Sequence, residues 1–392
     1  MLWVGAVVLA IHGIWIVAFL VSGHEVRDFI RIGSSTVTLS QASDVIGLDP
    51  TYDYPESRDA EFEGTGYDGQ YAYFIAIDPG DARYYIDDPA YRYGRILYPM
   101  LARYAAAGDP DVVPWAMIIV NWLAVGIGTI ALGALLARRG HSPWWALAFG
   151  LYPGLLIALQ RDLTEVTAYA LVAVAAYLFD YGGRRGVFLA GLAFGLAALS
   201  REVTLIFPAL YGLSILAGRP NASDQTGARS PRQFLIFTLA SFGPWLAWTA
   251  VLIVWLGLAS RGSDALGLPL AGLLERPWSP VRQPVNLLFI GIPAMALALV
   301  AALGFRGGSH RLERFLLLAN VLVAIVLASG AGWDAYPAMS RVATGVVVSA
   351  ILCLPFFQAT AGWQRRFVLG ASGLALVILP VVLVYPFTEF QV

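Results

Sequence analysis

The sequence lacks lysine and has only one cysteine, and both absences limit the chemistry it can carry. All 25 basic residues are arginine, so any fixed positive charge that binds an anion must come from arginine or histidine. Cys353 alone can form neither an intramolecular disulfide nor a thiolate metal site. The HExxH, Walker and dinucleotide-binding glycine patterns are also missing, which argues against a zinc-protease site and against these nucleotide sites.

Charge of either sign is scarce. Only 13% of the residues are charged and 58% are hydrophobic, whereas soluble domains average about 25% charged residues. The mean hydropathy is +0.68. These values indicate an integral membrane protein. The net charge of −1 leaves no basic surface of the kind that binds nucleic acid, so none is expected as a partner.

Apolar runs that could cross a bilayer, which takes about 20 residues, predict an all-α polytopic membrane protein with about eleven transmembrane helices and a single integral membrane domain over 1–392. The first run carries no basic segment before it and no cleavage pattern after it, so we expect a retained anchor rather than a signal peptide. The runs are 2–22, 113–137, 143–160, 165–182, 187–200, 203–218, 233–258, 285–305, 314–330, 342–360 and 367–386.

Arginines predict the orientation, because loops rich in arginine stay in the cytoplasm. They occupy alternate short loops, including the flexible segment 218–233. This pattern places the N-terminus in the cytoplasm and the long loop 23–112 outside. The arginine-only composition is typical of a GC-rich bacterium, so we expect the bacterial cytoplasmic (inner) membrane. The arginines are Arg138, Arg139, Arg184, Arg185, Arg219, Arg229, Arg232, Arg306, Arg311, Arg314, Arg365 and Arg366.

The acidic residues concentrate on the predicted outer side. Sixteen of the 26 Asp and Glu residues fall in the loop 23–112. Its densest part is "TGYDGQYAYFIAIDPGDARYYIDDPAYRYGRILYP" (65–99). We expect a short helix over 67–77 and a second amphipathic helix over 90–107, with tyrosines at the depth of the lipid headgroups. Any chemistry should therefore lie outside.

Three other outer loops also carry acids and arginines beside the apolar runs. Each set has a structural alternative: Glu165 would cap a helix, Arg201 would pair with its neighbouring glutamate, and Arg341 would be an ordinary loop charge. The functional alternative is that arginine binds phosphate, with which it forms paired hydrogen bonds. The residues are Arg161, Asp162 and Glu165, then Arg201 and Glu202, then Asp334 and Arg341.

Several of these motifs resemble the GT-C superfamily of membrane glycosyltransferases. "YDGQ" at Asp68 is similar to the Trp-Asp near the first span of the glycolipid-anchor mannosyltransferases. Arg161 and Glu165 look like the Arg and Asp pair of the protein-mannosyltransferase and aminoarabinose-transferase branch, and "GLAALSR" (195–201) resembles its Gly-Leu-Ala-x-Leu-Thr-Lys stretch. The chain departs from that branch in having Glu25 and Asp28 spaced apart after the first run, and it lacks the WWD motif of oligosaccharyltransferases.

The resemblance implies inverting transfer of a sugar from a polyprenyl-phosphate-linked donor to an extracytoplasmic lipid, glycan or protein. Asp68 would be the catalytic base, and Glu165 or Asp162 would orient the acceptor or hold a divalent cation; the pattern leaves open whether Mg or Mn is needed. The donor phosphate would be bound by Arg201, Arg341, Arg92 and Arg161. Other substrate contacts would come from Tyr67, Gln70, Asp88, Arg95, Tyr98 and Asp334.

The sequence leaves three other functions open. A transporter or lipid flippase would carry charges at mid-membrane depth and some internal repeat, and the sequence offers neither beyond Arg201 near a helix break. A non-catalytic subunit of an envelope-assembly complex would keep the fold without the chemistry. Longer basic outer loops would favour a ligase acting on a diphosphate-linked glycan, and the sequence lacks them.

Overall fold

The computed structural model of the protein describes residues 2–33, 66–84, 86–217, 231–257, 278–304, 310–327, 333, 335–360 and 362–389. Most of the predicted cytoplasmic loop 218–233, the acidic residues between 34 and 65, and Asp334 lie outside the described residues.

The described part of the chain is all helical and contains no strand. Its first half comprises α1 (Leu2–Val21), α2 (Gly69–Ile77), α3 (Pro89–Tyr93), α4 (Leu97–Ala105), α5 (Val113–Arg138), α6 (Leu147–Gly150), α7 (Pro153–Gln160), α8 (Glu165–Tyr181), α9 (Gly183–Ser200) and α10 (Ile206–Leu216). Its second half comprises α11 (Pro231–Leu256), α12 (Arg282–Asn286), α13 (Ile292–Leu303), α14 (Arg311–Leu327), α15 (Tyr336–Val342), α16 (Thr344–Leu352), α17 (Leu354–Ala359), α18 (Gly362–Leu376) and α19 (Leu379–Glu389).

Five helical stretches are long and apolar enough to cross a membrane, as expected for an all-α membrane protein. They are Leu2–Val21, Val113–Arg138, Pro231–Leu256, Arg282–Leu303 and Gly362–Phe387. Each covers most or all of one predicted run. Two shorter apolar helices span Glu202–Leu216 and Tyr336–Leu352. The count of eleven spans and their orientation stay predictions.

Proline divides two of the predicted runs into separate helices. The run 143–160 is divided at Leu151 and Tyr152, because Pro153 has no N–H to continue a helix and instead begins α7. The run 342–360 is interrupted at Cys353 in the same way, with Pro355 in the first turn of α17. Such breaks let helix ends enter the interior of a membrane protein, where short polar turns can form a site.

The described part of the loop that follows α1 folds against the bundle and contains the short helices α2, α3 and α4. The prediction of one helix over 90–107 was wrong, because the chain turns at Arg95 and Ile96 between α3 and α4. Pro99 would break a continuous helix at that place, and it is accommodated in the first turn of α4. The turn directs Arg92 toward Asp68 and Arg95 toward Glu202.

Aromatic side chains of this loop pack into the protein. Tyr73, Phe74, Tyr93 and Tyr98 are each at most 1% exposed. The expectation that the tyrosines lie at the headgroups was therefore wrong for these three tyrosines, and it stays a prediction for the exposed Tyr84 and Tyr104. The four buried side chains form a second core with the first turns of α5 and with Leu252 of α11. The loop is therefore held by burial of its own aromatic residues, a contribution of about 1.5–3 kcal/mol for a large side chain.

The main core lies along α5, α8, α9 and α10. Small residues allow α9 and α11 to approach closely: a Cβ added at Gly195 would lie 2.7 Å from the Ala240 carbonyl oxygen. Close packing of this kind is typical of membrane helices. The N-terminus of α8 lies where this core meets the loop helices, and the charged residues gather there.

Candidate active site

Six charged side chains form a continuous chain of alternating sign at the N-terminal end of α8. Arg92 binds Asp87 at 2.7 Å and Asp68 at 2.9 Å. Arg341 lies 3.3 Å from Asp68 and 3.6 Å from Glu165, and Glu165 lies 2.8 Å from Arg201. Two further charges form an ion pair beside this chain: Arg95 donates to both carboxylate oxygens of Glu202, at 3.0 and 3.2 Å.

Distant parts of the sequence supply these residues. Asp68 precedes α2, Arg92 lies in α3, Glu165 begins α8, and Arg341 is in the last turn of α15. Arg201 follows the end of α9 in an extended conformation, with φ −159° and ψ 113°. This single non-helical residue ends α9 and separates it from the short helical segment that continues into α10. The predicted runs 187–200 and 203–218 also meet at this place.

Asp68 is the acid at the middle of the chain of charges. Its side chain is 35% exposed, whereas Arg92 and Arg341 are 13% and 12% exposed. Burial raises the pKa of Asp68, but the positive charges of Arg341 and Arg92 outweigh it and hold that pKa well below its usual range. Asp68 is therefore ionised at neutral pH.

A cavity opens beside these charges, with a volume of about 370 Å³ that includes the solvent space at its mouth. Its polar lining consists of Asp68, Tyr71, Arg92, Arg95, Asp162, Thr164, Glu165 and Arg201. Five of the predicted catalytic and phosphate-binding residues thus lie on its wall: Asp68, Asp162, Glu165, Arg92 and Arg201.

The site contains buried polar atoms that no protein group satisfies. Arg341 Nε, Glu165 Oε1 and Asp162 Oδ2 have no hydrogen-bond partner in the protein. Glu165 Oε1 is within ion-pair distance of two arginines, so charge rather than aligned hydrogen bonds holds it. Because buried polar groups are nearly always satisfied in folded proteins, their presence here indicates a place for a polar ligand.

Two predicted residues lie behind the cavity. The ring of Tyr67 contacts two guanidinium groups, with its centroid 4.3 Å from Arg161 and 5.0 Å from Arg341. Such cation–π contacts favour a guanidinium placed over the ring. Tyr67 therefore helps to position both arginines.

Three further predicted residues have clear structural contacts. Gln70 is fully buried and accepts a hydrogen bond from the Gly33 backbone at 3.0 Å. Asp88 caps α3 by accepting from the Tyr91 N–H. Tyr98 is buried, and its hydroxyl lies 3.3 Å from Asp162. None of the three is on the cavity wall, and Asp334 lies outside the described residues.

Sequence reasoning missed two residues that support the site. Asn121 donates to the Tyr98 hydroxyl and to the Leu163 carbonyl, at 2.9 and 3.0 Å. Thr167 donates to the Asn121 side-chain oxygen at 3.1 Å. A polar amide in the apolar run 113–137 was the available signal, since such residues in membrane helices usually bind a partner.

An apolar groove lies next to the end of α15, the helix that carries Arg341. It has a volume of about 1130 Å³, which includes the open space at its mouth, and lies between α13, α16 and α18. Ala343 lines it, two residues after Arg341, and so does Tyr152, whose hydroxyl donates to the Ser340 carbonyl at 2.9 Å. One short helix, α15, thus connects the groove to the arginine that binds Asp68.

The charges of the cavity fit an anion better than a divalent cation. Among the described residues no group of three or more His, Cys, Asp or Glu side chains has the arrangement of a metal site. Asp68 and Glu165 both face guanidinium groups, and a cation would have to displace them. Arginines in this arrangement are suited to phosphate.

In comparisons with known proteins, no protein-family model, no curated protein and no solved structure matches the chain.

Proposed function

We propose that this protein is an inverting membrane glycosyltransferase that moves a sugar from a polyprenyl-phosphate donor to an extracytoplasmic acceptor. The observation that carries the proposal is the ionised carboxylate of Asp68, held between Arg92 and Arg341 in a cavity with unsatisfied polar atoms. A base and phosphate-binding cations are the two components that this reaction needs.

The donor phosphate would compete with Asp68 for the arginines. Arg341 and Arg92 bind the carboxylate in the free protein, and a phosphate bound between them would take over part of their charge. The pKa of Asp68 would then rise toward its ordinary value, because those charges are what lower it. Binding of the donor would thus convert a weak base into a stronger one.

In the transfer step an acceptor hydroxyl attacks C1 of the sugar. The new C1–O bond forms while the bond from C1 to the phosphate oxygen breaks, and its electron pair leaves with the phosphate. The acceptor proton goes to Asp68. Arg341 and Arg201 would stabilise the negative charge on the departing phosphate in a place where little water competes. Glu165 would keep these two arginines in position.

The apolar groove supports a lipid-linked donor. An isoprenoid chain needs an apolar surface, and the groove begins two residues from Arg341. A phosphate at Arg341 would place the start of the chain at Ala343. The predicted partners are accordingly membrane lipids and a polyprenyl-phosphate sugar.

The test is sugar transfer by the purified protein in lipid nanodiscs, followed by mass spectrometry. Polyprenyl-phosphate mannose, glucose and arabinose are offered separately, with a membrane lipid extract as acceptor. We expect one donor to react and Asp68→Asn to slow transfer by about 100-fold to 10,000-fold, as for loss of a general base. Failure of every donor both to react and to raise the melting temperature would contradict the proposal.

The groove also favours a second candidate, a lipid flippase. A flippase would move the same lipid between leaflets of a proteoliposome without breaking the sugar–phosphate bond. Translocation of an intact fluorescent donor by both the wild type and Asp68→Asn, with no transfer by either, would favour that alternative.

A further inference from the structure

Asp162 differs from the other acids of the cavity in its backbone and burial. It lies in the turn between α7 and α8 with φ +49°, a left-handed conformation that Asp and Asn tolerate better than most residues. It is fully buried and lines the same cavity as Asp68. The turn lies directly against α2, because a Cβ at Gly69 would overlap the Arg161 carbonyl oxygen.

The hydrogen bonds around Asp162 can be assigned one by one. Both N–H groups of Asn121 are used, on the Leu163 carbonyl and the Tyr98 hydroxyl, and its oxygen accepts from Thr167. The single proton of Tyr98 faces two acceptors, the Met117 carbonyl at 3.1 Å and Asp162 Oδ1 at 3.3 Å. Asp162 Oδ2 has no partner in the protein.

Asp162 also differs in forming no ion pair among the described residues. Each other charged residue of the cavity wall pairs with an opposite charge: Asp68 with Arg92, Glu165 with Arg201, and Arg95 with Glu202. Among the ion pairs of the described residues none includes Asp162. Tyr98, its one hydrogen-bonding neighbour, is itself uncharged.

A carboxylate at this position would be poorly compensated. It would receive at most one hydrogen bond, shared with a backbone carbonyl, at a side chain that is fully buried. Burying an unpaired charge is far costlier than burying a neutral acid. Burial accordingly raises the pKa of Asp162 well above its ordinary value, although the hydrogen bond from Tyr98 opposes this.

We propose that Asp162 is an uncharged carboxylic acid, and that its O–H at Oδ2 donates a hydrogen bond to an oxygen of the sugar phosphate in the cavity. The hydrogen bond to the sugar phosphate rests on the proposed function, whereas the uncharged state of Asp162 does not. Asp162 would then be a binding residue that reads an oxygen atom, neither a base nor a metal ligand.

The uncharged state is tested by infrared difference spectroscopy on the protein in nanodiscs at pH 7. A protonated carboxyl group has a carbonyl stretching band distinct from that of a carboxylate. We expect the wild type to show such a band, Asp162→Asn to lose it, and Asp68→Asn to keep it. A spectrum that Asp162→Asn leaves unchanged in this region would overturn the inference.

The hydrogen bond is tested by donor affinity with two variants chosen for the left-handed backbone. Asp162→Asn keeps a neutral donor at the Oδ2 position, whereas Asp162→Gly removes the side chain at a φ that glycine adopts freely. We expect Asn to bind the donor within about threefold of the wild type and Gly about tenfold more weakly. Equal loss in both variants would mean that a charge is needed, and would overturn the proposal.

The outcomes separate the two proposals. Melting temperatures of both variants without donor show whether each is folded. A wild type that binds no polyprenyl-phosphate sugar would contradict the proposed function and the ligand half of this inference, while the infrared difference still decides whether Asp162 is neutral.

Discussion

Arg341 and Arg139 make the same kind of contact at opposite ends of one helix. Arg341 lies between Asp68 and Glu165, and Arg139 lies between Asp180 and Glu313, at 3.0 and 3.1 Å. Both are largely buried, at 12% and 18% exposed. Glu165 and Asp180 lie in the first and last turns of α8, about 22 Å apart at 1.5 Å per residue.

The two clusters differ in what surrounds the charges. Around Arg139 every buried polar atom of the three residues has a hydrogen bond, and Arg139 also reaches the Leu352 carbonyl. Around Arg341 the Nε and Glu165 Oε1 remain unsatisfied beside a cavity. Ion pairs alone therefore do not mark a site, and neither do unsatisfied atoms alone, since Arg314, next to Glu313, has two of them. The Arg341 cluster is distinguished by having such atoms beside a cavity lined by charged groups.

The largest expected effect compares the two arginines in transfer. Arg341→Met should lower kcat/KM by about 100-fold to 1,000-fold, as for loss of one group that stabilises transition-state charge. Arg139→Met should leave kcat/KM within about threefold, because it is about 22 Å from the cavity along α8. The measurement is initial-rate sugar transfer per folded molecule.

Folded protein is counted by size-exclusion chromatography, since both variants should lose stability. An equal fall in kcat/KM for Arg139→Met would show that the Asp180 cluster is also part of the active site. It would contradict the assignment of the site to the Arg341 cluster alone.

The second effect concerns stability. Glu165→Gln removes the acid that forms an ion pair with Arg201 and leaves that arginine with only the longer-range attraction of Glu202, at an expected cost of about 3–5 kcal/mol. Asp180→Asn should cost less, about 1–3 kcal/mol, because Arg139 keeps Glu313 and the Leu352 carbonyl. Unfolding in SDS measures both.

A double variant separates the buried charge from lost packing. Adding Arg201→Met to Glu165→Gln should recover part of the loss, since no unpaired charge then remains. No recovery would mean that Glu165 stabilises the protein through contacts other than this ion pair.

Sequence reasoning anticipated which residues would gather but not how they would pair. Acids and arginines beside apolar runs pointed to Asp68, Glu165, Arg201 and Arg341, and the structure brings these four together. The contact between Arg341 and Asp68 spans 273 positions. No local periodicity carries information over that separation, because such a contact depends on how all the intervening helices pack.

The fold was predictable where a run is long and uninterrupted, as in α1, α5 and α11. It was not predictable where proline divides a run, because whether Pro153 kinks a helix or begins a new one depends on its neighbours. The arginines of the predicted cytoplasmic loops were interpreted only as topology charges. The ion pairs of Arg139 with Asp180 and Glu313 need acids from two other helices, and the rule that predicts orientation does not address pairing.

A third, smaller effect tests the close approach at the site. Gly69→Ala would place a Cβ against the Arg161 carbonyl oxygen, so the turn that carries Asp162 must move. We expect a loss of about 1–3 kcal/mol in stability, as for other overpacked positions, together with a higher KM. Gly80→Ala, in the same loop, meets nothing closer than 4.0 Å and is the matched control.

The smallest effect is a shift in pH dependence. The guanidinium groups depress the pKa of Asp68, so its contribution to stability is present above about pH 4, the unfolded value, and is lost only as the pH falls through the lower folded value.

The acid limb of kcat/KM, which reports the free enzyme, should therefore lie below about pH 4. Arg92→Met removes one of these charges and should raise that limb by about one pH unit, relative to the variant's own plateau. Arg139→Met should not move it. An acid limb that stays in place in Arg92→Met would show that the activity depends on a group other than Asp68.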